Sequence, residues 1–182
     1  PSTACQRRVL GPQLPSRLRL AGLPVAACSL TLGTWEPAPK ASHGSCPKSS
    51  MTAVLIVAHA PLASALLAVA RHVYPECSEG VAAVDVLATD DLPAVDLAVR
   101  AALVRFGESD VLILCDVFGA TPCNAAMQAA DGTRVRVVTG VNVPMLWRTL
   151  CYTSDSLESL VSRAVVGASQ GVMQVAATRP QN

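Results

Sequence analysis

Ala53-Val54-Leu55-Ile56-Val57-Ala58-His59-Ala60-Pro61 is the stretch that decides the reading of this chain. Residues 53–58 are all apolar, with no polar face, as a parallel strand covered on both sides requires. The run stops at a histidine, and Pro61 suits the first position of a helix. From there to Val73 the chain is expected to be helical, with Leu62, Ala65, Leu66, Val69 and Val73 turned inward.

The same alternation continues toward the C-terminus. Val81–Leu87 reads as a second strand. Asp90 or Asp91 can cap the next helix, in which Leu92, Val95, Val99, Leu103 and Phe106 recur every three or four residues and Gly107 makes the stop. Val111–Cys115 is a third, very apolar strand. Thr121-Pro122 reads as cap and first residue of a short helix to about Ala130, and Asp131-Gly132 as a turn. Residues 134–139 (RVRVVT) alternate, which places them near a sheet edge. Asn142–Pro144 starts a short helix to about Cys151. Asp155 with Glu158 opens a last helix, with Leu157, Leu160, Val161 and Val165 inward, and Val172–Ala176 reads as a terminal strand. Strands alternating with helices imply an α/β fold: a three-layer, doubly wound, mainly parallel sheet with right-handed crossovers.

Residues 1–50 do not share this pattern. They hold Arg7, Arg8, Arg17, Arg19, Lys40 and Lys48 against one acid, Glu36, whereas residues 51–182 hold eight arginines, no lysine and twelve acids. Prolines at 12, 15, 24, 37, 39 and 47 interrupt every candidate element in the first part. Leu18–Leu32 is too short and too broken to span a bilayer. Arg7-Arg8 before Leu20–Ala27 imitates a secretory signal only loosely. Residues 1–50 are therefore expected to be a disordered or artefactual extension, with translation naturally beginning at Met51, and 51–180 to form the functional domain. The net charge of +1 offers nothing to nucleic acid. The seven cysteines, at 5, 28, 46, 77, 115, 123 and 151, include no C-x-x-C pair, so no zinc site or other metal is expected. They read as reduced thiols of a cytoplasmic protein.

In an open parallel sheet, ligands bind beyond the carboxyl ends of the strands, where strand order reverses. Three loops lie there: His59-Ala60-Pro61, Asp116 to Asn124, and Gly140 to Pro144. If the order is 2-1-3-4, strands one and three are neighbours, and His59 and Asp116 meet at the reversal. Alone, a strand-end histidine is more often structural, and an aspartate in a loop is more often a cap. Together they make a pair in which the carboxylate fixes the tautomer and leaves the other ring nitrogen as base or nucleophile. Gly119 permits close backbone approach, Thr121 offers a hydroxyl, and two helix starts converging on one histidine suit a phosphate-sized anion. No P-loop is present, and no serine is placed to serve as the nucleophile of a hydrolase.

The strand ending in His59, the segment Asp116-Val117-Phe118-Gly119-Ala120-Thr121-Pro122-Cys123-Asn124, and the segment Gly140-Val141-Asn142-Val143-Pro144-Met145-Leu146 together resemble the mannose-family IIA component of the bacterial sugar phosphotransferase system, over essentially residues 51–180. The resemblance implies that His59 accepts a phosphoryl group from the histidine-containing phosphocarrier protein and passes it to a IIB component, with Asp116 orienting it. It also implies a phosphate pocket from Ala60, Gly119, Ala120 and Thr121. Phe118, Asn124, Asn142 and Pro144 would support the site or form the partner face. It implies a homodimer with an antiparallel terminal strand exchanged between subunits, no cofactor and no membrane insertion. The chain departs from the family at Ala120, where a glycine is common, and at Cys123, where an aromatic is usual. No IIB pattern occurs in these 182 residues. A phosphorylation-switched regulatory module and a phosphotransfer subunit for a dihydroxyacetone kinase therefore stand as alternatives to sugar uptake.

Overall fold

The computed structural model describes residues 51–175, so the expected extension at 1–50 lies outside the described residues. Its elements are β1 (Ala53–His59), α1 (Leu62–Val73), a short 3-10 turn (Cys77–Gly80), β2 (Val81–Val86), α2 (Leu92–Val104), β3 (Val111–Cys115), α3 (Thr121–Ala129), β4 (Val135–Thr139), α4 (Val143–Leu150) and α5 (Leu157–Gln170). The four strands are all parallel in the order β2-β1-β3-β4, as the alternation predicts.

β1 and β3 occupy the centre, which is why both read as unbroken apolar runs. Leu55, Ile56, Leu112, Ile113 and Leu114 are fully buried. The period of two along each strand divides these residues between two cores. Val54, Ile56, Leu112 and Leu114 pack with Leu66, Met145, Leu146, Leu150 and Leu160 under α1, α4 and α5. Leu55, Val57, Ile113 and Cys115 pack with Val95, Val99 and Ala126 under α2 and α3. β4, the alternating strand, lies at an edge and is only half buried. The Asp131-Gly132 turn before it closes as read. The Asp131 carboxylate accepts the N–H groups of Val135, Thr133 and Arg134, which hold its carboxyl down at about 2, and Gly132 takes a positive φ of 75°.

The structure corrects several local expectations. The inward stripe of α1 is Ala63, Leu66 and Ala70 rather than Leu62, Ala65 and Val73; Leu62 and Val73 are each 40% exposed. This helix is apolar nearly all round, so its period could not select a face, and small alanines let it approach the sheet closely. Thr121 is the first helical residue of α3, and Ala120 takes the cap position. α5 is capped by Ser156, because Asp155 pairs with Arg163 at 2.7 Å instead. Val165 of α5 is 49% exposed. Of the expected terminal strand Val172–Ala176, the described part, Val172–Val175, is exposed and joins no strand of this chain. The sheet edge at β4 and this segment are both left without a partner strand among the described residues.

Burial sets the expected cost of truncation. Leu114→Ala, in the fully buried centre of β3, should lower unfolding free energy by about 3 kcal/mol in urea titrations. Leu97→Ala, at a position 70% exposed on α2, should stay within about 0.5 kcal/mol of the parent.

Candidate functional site

Parallel pairing of β1 with β3 sets Val57 beside Cys115, so His59 and Asp116 leave the sheet at the same end. The side chains meet there. His59 Nδ1 lies 2.6 Å from Asp116 Oδ2, and the His59 main-chain N–H donates to the same oxygen at 2.9 Å. An ionised carboxylate can only accept, so Nδ1 carries a proton, and in the neutral ring Nε2 keeps its lone pair. The histidine side chain is 52% exposed and the aspartate 12%. Nε2 thus belongs to the open partner, and the carboxylate that holds the ring to the covered one.

Asp116 is itself fixed on every side. Its Oδ1 accepts the Val117 N–H at 2.7 Å, and its carbonyl accepts the Gly140 N–H at 2.9 Å. Burial pushes the carboxyl up, but the His59 main-chain N–H, the His59 ring and the Val117 N–H outweigh it, holding the carboxyl below its ordinary value. Gly119, at φ +85°, makes the left-handed turn that an L side chain rarely adopts, and Asn124 Nδ2 ties down its carbonyl at 3.0 Å.

The turn ends in donors. The N–H groups of Gly119 and Thr121 have no hydrogen-bond partner among the described residues, and α3 has no side-chain cap. By contrast Asp91, Asn142 and Ser156 cap α2, α4 and α5 with their own side chains. Uncapped N–H groups and the positive end of the helix dipole make an anion site. His59 continues the alternation of Leu55 and Val57, which face α2 and α3, so it leaves the sheet on the face that α3 covers.

The other candidates separate. Ala60 gives its N–H to the Val86 carbonyl at 2.9 Å, so that amide is spent on the sheet and not on a phosphate. Ala120 stands at φ −81°, ψ 166°, extended backbone that any residue adopts, so the loss of glycine there brings no strain. Phe118 is 73% exposed at the tip of the turn. Asn142 caps α4 through the Met145 N–H and donates to the Ala168 carbonyl. Pro144 lies against Gly171, where an added Cβ would come within 2.3 Å of it. Asn142 and Pro144 therefore hold α4 against α5. Cys123 is fully buried, so its departure from the family alters packing beneath the turn. Cys115 is buried too, and burial pushes its thiol far up, which leaves it an inert thiol. The described residues include no cluster of metal-ligating side chains and no helix long and apolar enough to cross a membrane. Two contributors were missed in the sequence: the Gly140 N–H, which no residue pattern advertises, and Asp85, the one charge in β2.

Comparison with known proteins agrees with the geometry. The pattern of the family described as PTS system fructose IIA component matches residues 53–165. The mannose-specific EIIAB component of the PTS of Escherichia coli K12 is 32% identical over 124 residues, 66% of this chain and 38% of that protein. This chain thus spans well under half the length of that relative. The mannose/sorbose-specific IIA subunit of the phosphotransferase system from Enterococcus faecalis superposes with a TM-score of 0.67 at 24% identity, covering 72% of this chain and 99% of its own. The phosphotransferase system component EIIA from Streptococcus agalactiae gives 0.61 at 21%, covering 68% and 97%. At these identities the two structures speak for the fold alone.

The hydrogen bonds to Asp116 make stability depend on pH in a defined direction. Its native carboxyl titrates below the ordinary 3.8, so its ionised form stabilises the fold above that value, and the stabilisation is lost as pH falls through the lower native value. Urea titrations should therefore find Asp116→Asn less stable than the parent at neutral pH, with the two curves converging in acid. A gap that stays constant into acid would contradict the assigned bonds.

Proposed function

The chain belongs to the PTS fructose IIA component family, the IIA components of the phosphotransferase system, and from that membership we propose that it carries a phosphoryl group on His59 Nε2. The observation that carries the proposal is the 2.6 Å bond between His59 Nδ1 and the Asp116 carboxylate, which in the neutral ring leaves the Nε2 lone pair open to a partner. The donor is the phosphohistidine of the histidine-containing phosphocarrier protein. Nε2 attacks phosphorus, the new N–P bond forms, and the donor's N–P bond breaks with its electron pair returning to the donor imidazole. His59 keeps its Nδ1 proton throughout. The ring gains positive charge as the bond forms, and Asp116 balances it. The N–H groups of Gly119 and Thr121 and the Thr121 hydroxyl receive the phosphoryl oxygens, and positioning and fixed dipoles supply the catalysis. Discharge to a IIB component or another acceptor reverses these steps, in the cytoplasm, without a cofactor.

The same reading includes a homodimer. The exposed Val172, Met173 and Val175 would extend along β4 of a second copy, over an apolar groove of about 560 Å³ lined by Phe118, Met127, Val137 and Val161. Such pairing would cover an unprotected sheet edge. Light scattering should then give a dimer for the full chain and a monomer after removal of residues 172–182. A monomeric full chain would refute the dimer.

Incubation with phosphoenolpyruvate, enzyme I and the phosphocarrier should place acid-labile phosphate on the protein. His59→Ala should abolish it, and Asp116→Asn should slow its appearance on the order of tenfold or more while the fold persists. Label retained by His59→Ala would refute the assignment.

A further inference from the structure

The segment that follows His59 is held by two consecutive residues of β2, and only one of them uses its side chain. The Val86 carbonyl accepts the Ala60 N–H at 2.9 Å, as any residue at that place would. Asp85 Oδ1 accepts the Ser64 N–H in the first turn of α1 at 3.1 Å. That helix begins at Pro61, which provides no side-chain cap. Ser64 in turn closes the loop, its hydroxyl donating to the Pro61 carbonyl at 3.0 Å. Asp85 therefore supplies from the neighbouring strand the cap that α1 lacks.

Its placement is specific. Ala83 packs into the core under α1, and Asp85, two residues on, shares its face of the sheet. Asp85 is the register partner of Ala58, the residue before His59. Asp85 is half-buried, and one of its oxygens is spent on this single N–H.

We infer that Asp85 is a positioning residue for phosphoryl transfer, an inference that rests on the carrier reading of His59. Asp116 orients the imidazole from one face of the sheet. Asp85 fixes the Ala60–Ser64 turn through the Ser64 N–H, so the backbone that carries the ring cannot shift as the partner docks. The geometry uses Asp85 as an acceptor and makes no use of its charge, so asparagine should replace it and alanine should not.

The test uses the full chain, with Asp85→Ala and Asp85→Asn compared at a temperature where circular dichroism shows each fully folded. Phosphoryl uptake is followed over a range of phosphocarrier concentrations. Asp85→Ala should lose about tenfold in maximal rate with half-saturation little changed, since misplacement near the reacting atom penalises the chemical step. Asp85→Asn should keep the parental rate. Amide exchange at Ser64 should quicken in Asp85→Ala and not in Asp85→Asn. Parental rate in the folded alanine variant, or an asparagine variant as slow as alanine, would overturn the inference. So would Ser64 exchange that is unchanged in alanine. Should the alanine variant fail to fold, a slow but folded asparagine variant still refutes it. If the parent itself takes no phosphoryl group, the carrier reading fails, and Ser64 exchange separately decides whether Asp85 holds the turn.

Discussion

One charged hydrogen bond, between His59 Nδ1 and Asp116 Oδ2, organises the working end of this molecule, and it exists only because two strands far apart in sequence are paired in register. β3 ends at Cys115 opposite Val57, and β1 runs on to His59, which sets His59 over Asp116. A slip of one residue would turn each strand's side chains to the opposite face and separate the pair. Register is protected by burial. Leu55, Ile56, Ile113 and Leu114 are fully buried, and a slip would exchange residues between two differently shaped cores. The apolar strands that make the fold stable thus also set the distance on which the chemistry depends.

Around that pair the backbone carries most of the polar work. Val117 and Gly140 fix Asp116 through main-chain N–H groups, Gly119 makes the left-handed turn, and α3 begins uncapped. No lysine stands in residues 51–182, and what this loop offers an anion is fixed dipoles. Such donors need no reorganisation when charge arrives. They also tolerate side-chain change, which is why alanine at 120 leaves the loop unstrained.

His59 and Asp116 were legible because each ends an apolar run, and doubly wound sheets place ligands at such ends. Gly119 and Thr121 were legible through turn and helix-start chemistry. Asn142 and Pro144 were attached to the site by motif, yet they pack α4 on α5, since a residue pattern does not say which of its members faces a partner and which a neighbouring helix. The inward face of α1 was misread because alanine, leucine and valine occur on several sides of it. The loss of the Ala60 N–H to Val86 depends on strand pairing, which no local pattern encodes.

The sequence by itself determined the class of fold, the strand boundaries near the site and the meeting of His59 with Asp116. Apolar periodicity and strand-end polarity are local properties, readable within a few residues. Only the tertiary structure decided which ring nitrogen is protonated, which N–H groups remain open, and that Asp85 caps a helix on a different element. Those outcomes are distances of about 3 Å between residues 21 and 57 positions apart. They arise where packed strands and helices converge, and a linear pattern carries no information about which polar groups there find partners. The terminal segment from Val172 marks the same boundary. Its apolar sequence reads as a strand, but a strand forms only where it reaches an edge to pair with, and Val172–Val175 pairs with no strand among the described residues.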